Sequence, residues 1–158
     1  MDAERALLRH TVATVAYRGA KALRGAPDNF GTCRVGEGSR TPADILAHLG
    51  DLFGWALSLA EGAPDWREST PRPWSQEVGR FFETLRQLDA YLASDAPLGC
   101  SPGQLFQGPI ADALTHVGQL TIMRRVAGAP IRLENYFKAD IVAGRVGPDQ
   151  TAARREFD

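Results

Sequence analysis

Two histidines and one aspartate carry the most legible chemistry in this chain of 158 residues. His116 follows Asp112 by four positions within G-P-I-A-D-A-L-T-H-V-G-Q-L-T-I-M-R-R-V-A-G, residues 108–128. That spacing is about one helical turn, so the two side chains share a face. Ala113, Leu120, Met123 and Ala127 lie toward the same side, while Thr121, Arg124 and Arg125 fall away from its centre. The pattern therefore places a carboxylate on an apolar face. An unpaired buried charge costs several kcal/mol, so Asp112 must be neutralised, paired or bound to a cation. His48 lies in a separate apolar pattern, between Ile45 and Leu52.

These three residues admit two readings. Asp112 and His116 can form a buried polar pair, with Asp112 present only as a helix-start acid that complements the helix dipole. Alternatively His48, Asp112 and His116 converge on one divalent ion. Two imidazoles and a carboxylate suit zinc, nickel, iron(II) or manganese and leave positions open to water and substrate, as catalytic sites do. Gln119, on the edge of the same face, would hold a bound ligand or orient a metal-bound water; otherwise it is a polar rim contact. Asp44 and Asp51 flank His48, and either can accept its second N–H and fix its tautomer. Asp44 also reads simply as an acid at a helix start. His10 lies off its own apolar stripe, next to Tyr17 on the helical wheel, and reads as exposed or at a subunit contact.

Positioning these groups requires helices. Residues 3–24 carry the stripe Leu8, Val12, Val15, Gly19, Ala22 and Leu23. Thr41-Pro42-Ala43-Asp44 starts a second helix that runs to about Ala60, with Ile45, Leu52, Trp55, Ala56 and Leu59 inward. Ser75 caps a third, buried through Val78, Phe81, Phe82, Leu85, Leu88 and Leu92 and ending near Ser94. Pro109 suits the first position of the fourth, and Gly128 with Pro130 suits its stop. Residues 25–40 form a Gly-rich connection whose spacing fits no phosphate loop. Residues 61–74 form a Pro-rich crossing whose Trp66 and Trp74 read as core cover, with a cleft wall as the alternative. Residues 95–108 read as loop with at most a short turn. A short helix is expected around 135–142, and the polar tail 145–158 reads as frayed. No segment sustains period-two alternation, so no sheet is expected. The whole predicts an all-α, four-helix bundle over 1–144 followed by the tail 145–158.

Composition narrows the function classes. A hydrophobic fraction of 44%, a charged fraction of 23% and a net charge of -1 describe an ordinary globular chain. No basic stripe supports nucleic-acid binding. No run approaches the roughly 18 apolar residues of a membrane span. The acidic start M-D-A-E-R leads into no apolar signal core, which makes the cytoplasm the default location. Cys33 and Cys100 have neither zinc spacing nor a nucleophile motif around them, and read as free loop thiols.

The chain resembles the DinB/YfiT-like metalloenzymes. The likeness rests on T-P-A-D-I-L-A-H-L-G-D-L-F-G-W, D-A-L-T-H-V-G-Q-L and G-A-P-I-R-L-E-N-Y-F-K-A-D-I-V-A-G, in that order over nearly the whole chain. In that family one His comes from the second helix and two from a helical H-x-x-x-H, often followed by G-Q. His48 matches the first and His116 the last; Asp112 stands where the family has its middle His. The resemblance implies up-down-down-up connections, a homodimer and a divalent metal in a pocket open at one end. It implies a hydrolase-like enzyme with a metal-activated water or substrate oxygen. Alternatives are a transferase or isomerase dependent on a low-molecular-weight thiol at the same metal, and a non-catalytic stress-response binding module.

Overall fold

Side chains cap three of the four helices. Asp2 accepts a hydrogen bond from the Arg5 amide at the head of α1, Ala3–Leu23. Thr41 and Asp44 form a reciprocal capping box ahead of α2, Pro42–Ala60. α3, Trp74–Ala93, begins after Pro73 with no side-chain cap, and Ser75, expected to cap it, lies inside its first turn. α4 covers 102–126: a first turn Pro102–Leu105, a π-helical turn Phe106–Ile110, and Ala111–Val126, with right-handed helical backbone at both joins. The computed structural model describes residues 2–157.

The fourth helix therefore begins seven residues before the expected Pro109. Ser101 and Gln104 make a capping box, and Pro102 occupies the first turn, a start signal inside the stretch expected to be loop. Pro109 then lies inside a helix. Its ring has no N–H to donate and would collide with the carbonyl four residues back in a regular α-helix. The wider π turn accommodates it, and Pro109 and Ile110 both face the interior.

The helix ends establish the up-down-down-up order. Arg5, at the start of α1, donates to the carbonyls of Ser94 (2.8 Å) and Ala96 at the end of α3. The Gly99 amide donates to the Ala60 carbonyl at 2.8 Å, joining the end of α2 to the approach to α4. Here any side chain on Gly99 would overlap the backbone of Gly62, which turns at φ +77°. At the other pole, Arg124 of α4 donates to the carbonyls of Ala22 and Arg24 at the end of α1, both at 2.9 Å. Around the bundle, α1 touches α3 and α4, and α2 touches the same two. The core between them holds Phe53, Phe81, Leu46, Leu49, Leu85, Leu88, Ile110 and Leu120, all fully buried.

Arg124 is a correction to the sequence reading, which set it off the apolar face. It is 5% exposed. Its charge is stabilised by four carbonyls, those of Ala22, Arg24, Gly25 and Ala129, at the C-terminal pole of two helices. The C-terminal region also differs from expectation. A 3₁₀ turn, Tyr136–Lys138, stands where a short helix was expected. Residues 145–157 lie on the bundle instead of fraying. Val146 enters the core, and β2 (Glu156–Phe157) pairs antiparallel with β1 (Leu133–Glu134). Lys21 of α1 bridges Glu134 at 2.8 Å and Glu156 at 2.7 Å, so charge pairing explains how a polar tail docks without an apolar pattern.

One network fixes α2 against α3 beside the histidine. Arg80 donates to Asp51 (2.7 Å), to the fully buried Glu77 (2.8 Å), to Ser69 Oγ and to the Ala47 carbonyl. Ser69 donates in turn to Asp51 from both its amide and hydroxyl. Removing the cation strands two carboxylates. Arg80→Met should cost about 3–5 kcal/mol in denaturant unfolding, a larger loss than replacing any exposed arginine.

Candidate metal centre

α2 contributes His48 one turn beyond its capping box, and α4 contributes Asp112 and His116 immediately after the π turn. The two helices bring all three together. His48 Nε2 stands 3.6 Å from one Asp112 oxygen, and His116 Nε2 stands 3.4 Å from the other. The imidazole centroids are 4.7 Å apart with ring planes at 80°. One ligand atom from each residue can be chosen so that all lie within 4.8 Å of one another.

These separations leave room for a cation between the groups. They exceed the 2.7–3.2 Å of ordinary hydrogen bonds. Around a tetrahedral ion with ligand bonds near 2.1 Å, ligand atoms stand about 3.4 Å apart. The donor set, with one ligand atom from each residue within 4.8 Å of the others, is compatible with a divalent cation. The three side chains can hold a metal ion.

The Asp112 carboxylate is not buried, as the sequence pattern implied; its side chain is 47% exposed. The inward face of this helix is Ala113, Val117, Leu120 and Arg124, which turns Asp112 and His116 toward a flank that opens to solvent. Asp112 therefore needs no cation to tolerate its charge, and the case for a metal rests on convergence. It also makes the site reachable from outside.

Neighbouring groups orient the imidazoles. His116 Nδ1 lies 2.9 Å from Gln119 Oε1. Donation from the Nδ1–H to that carbonyl leaves the Nε2 lone pair directed toward Asp112, the tautomer a metal ligand needs. Gln119 is thus placed as an orienter of His116. Neither flanking acid holds His48: Asp44 is committed to Thr41 and Asp51 to Ser69 and Arg80. Trp66 packs edge-on against His48 at 5.8 Å and against Trp55 at 5.7 Å, forming a cover over the site from the Pro-rich crossing. Trp74 takes the other role and meets core Phe30 at 5.4 Å. His10 is exposed, and Cys33 and Cys100 are free thiols outside the cluster.

Electrostatics keep His48 ready to ligate. Burial lowers its pKa, the neighbouring His116 and Arg40 lower it further, and Asp112 partly offsets them. Asp44 is held below the usual carboxylate range by hydrogen bonds from the Thr41 amide and hydroxyl. Burial alone would raise Asp51, but its bonds from Ser69 and Arg80 bring it below that range as well. Beside His48 a recess of about 170 Å³ is bounded by Arg40, Asp44, Asp51, Glu68 and Ser69.

No family model, no curated protein and no solved structure matches this chain. Among the described residues, no helix is long and apolar enough to cross a membrane. What fold and site together define is an all-α, four-helix bundle with a solvent-accessible group of two histidines and an aspartate that can hold a metal.

Two outcomes are expected. In metal-free protein, the His48 ring should titrate below 6.5 by NMR. Its folded pKa is depressed, so its stability contribution is complete above 6.5 and is lost as pH falls toward the folded value. Gln119→Leu should weaken metal affinity by about 10–100-fold without changing unfolding of the metal-free chain, as read by competition with a chromogenic chelator.

Proposed function

We propose that this chain is a divalent-metal-dependent enzyme of the DinB/YfiT-like kind, with hydrolase-like chemistry. The observation that carries the reading is the convergence of His48, Asp112 and His116 at ligand-like spacing on an accessible flank. His48, Asp112 and His116 would hold the ion, and Gln119 would keep His116 in its ligating tautomer. When bound there, such an ion polarises a substrate oxygen or makes water more acidic.

The remaining chemistry falls to protein groups. Among the carboxylates of the recess, Asp44 is tied to Thr41, and Asp51 is tied to Ser69 and Arg80. Glu68 has no such engagement among the described residues and faces the same recess as His48. It is the group available to accept a proton there. Trp66 would limit water above His48. The departure from H-x-x-x-H at Asp112 gives the site a hard anionic ligand that reduces the charge of the bound ion by one.

Metal content and chemistry test this together. Wild-type protein reconstituted with zinc, nickel, manganese or iron(II) should retain about one ion per chain. His48→Ala, Asp112→Ala and His116→Ala should each lose it. Glu68→Gln should keep the metal and lose hydrolysis in an ester and amide screen. No retained ion in the wild type sinks the metalloenzyme reading and leaves a binding module. A low-molecular-weight thiol that produces a thiolate charge-transfer band with cobalt(II)-loaded protein would instead assign the site to thiol-dependent transfer or isomerisation.

A further inference from the structure

A groove of about 850 Å³ runs along the outer side of α4, one helical turn from the histidines. Its walls are aliphatic: Val35, Ile45, Ile122, Met123 and Val126. Ile122 and Val126 are 59% and 61% exposed, so they form an accessible apolar stripe beside a site that is otherwise polar. Gln119 connects the two regions, because it lines the groove and accepts from His116.

One charge marks this groove. Among the described residues Arg40 is the only ionisable one along it, and no acidic side chain lines it. Arg40 also borders the recess that contains His48, so this residue lines both spaces. The acids Asp44, Asp51 and Glu68 line only the recess; Arg40 acts through space on Asp44, and among the described residues no acid of the recess makes an ion pair with it. An arginine at the polar end of an aliphatic trough is suited to a planar anion carried on an apolar body. The volume lies within the range that encloses a small organic ligand.

We propose that the groove binds a soluble small-molecule carboxylate with an extended aliphatic body, its carboxylate on Arg40 and its chain along Ile122 and Val126. As the substrate class of the neighbouring centre, this ligand rests on the metalloenzyme reading; as a binding site, it stands on the groove alone. The chain occupies aliphatic surface that water now covers. Arg40 supplies selectivity for the anion, and Gln119 lies where the ligand meets the metal-binding flank.

Decanoate below its micellar concentration is the probe, with decanol and decyltrimethylammonium as charge controls, measured by calorimetry on metal-free protein. Decanoate should bind more tightly than decanol, and decyltrimethylammonium least. Arg40→Met should weaken decanoate at least about tenfold and leave decanol unchanged. Ile122→Asp, a change at an exposed position, should abolish both. Equal affinity for decanoate and decanol, or no effect of Arg40→Met, overturns the proposal. So does decanoate binding that appears only with metal, because the carboxylate would then sit on the ion. A dimer that dissociates in Ile122→Asp, with no decanoate binding in the wild type, would assign the groove to a second copy and also overturn it. The same titration on His116→Ala separates the two readings: retained binding without metal supports the groove even if the metal reading fails, and lost binding counts against the groove.

Discussion

The distance between α2 and α4 at the level of His48 is the constraint on which the candidate site depends. The Asp112 carboxylate lies between two imidazoles, 3.4 and 3.6 Å from their Nε2 atoms. A shift of one helix by an ångström would bring these groups into direct hydrogen bonding or separate them beyond the reach of one ion. The framework holds this distance from both sides. The Gly62–Gly99 contact brings the end of α2 against the approach to α4, and it tolerates no side chain. The π turn widens α4 just before Asp112, where Pro109 would break a regular ladder. The positions that follow it combine a core-facing Ala113 and Val117 with a site-facing Asp112 and His116.

The poles of the bundle use one device twice. Arg5 reaches the last carbonyls of α3, and Arg124 reaches those of α1 and its own helix. Helix C-termini present unsatisfied carbonyls and partial negative charge, so a buried guanidinium there satisfies several acceptors at once. Desolvation lowers the pKa of Arg124, but the group remains charged at ordinary pH. Long connections can then leave the helix ends without loosening them. The crossings consequently acquire other uses: one brings Trp66 over His48, and another brings Val35 and Arg40 to the groove.

Legibility followed the range of the interactions involved. The apolar stripes of α1, α2 and α3 and the Thr41 cap of α2 are local, and those helices stand close to where their patterns placed them, although Ser75 does not cap α3. The three candidate ligands were also visible, because helical spacing puts Asp112 and His116 on one flank and His48 on another helix. The direction of that flank was not visible. Asp112 lies near an apolar face on a regular wheel, yet the packed helix turns Ala113 and Val117 inward instead. The start of α4 was misplaced because Pro109 competes with Ser101-Pro102 as a start signal. Only a π turn resolves that competition in favour of both prolines. The strand pair and docked tail depend on Lys21 meeting Glu134 and Glu156, an ion-pair network far apart in the chain.

Exposure of Asp112 changes what the site can do. A fully buried carboxylate would demand a permanent counter-charge, and the ion would then be a structural part of the fold. Here Asp112 is hydrated on one side, while burial and His116 together keep His48 neutral. The metal-free cluster is therefore tolerable, and an ion can arrive after folding through the open flank. That separates the stability of the bundle, set by its apolar core and the Arg80 network, from occupancy of the centre. Trp66 packs on His48, Glu68 lines the recess beside it and Gln119 bonds His116, so these three groups surround the cluster.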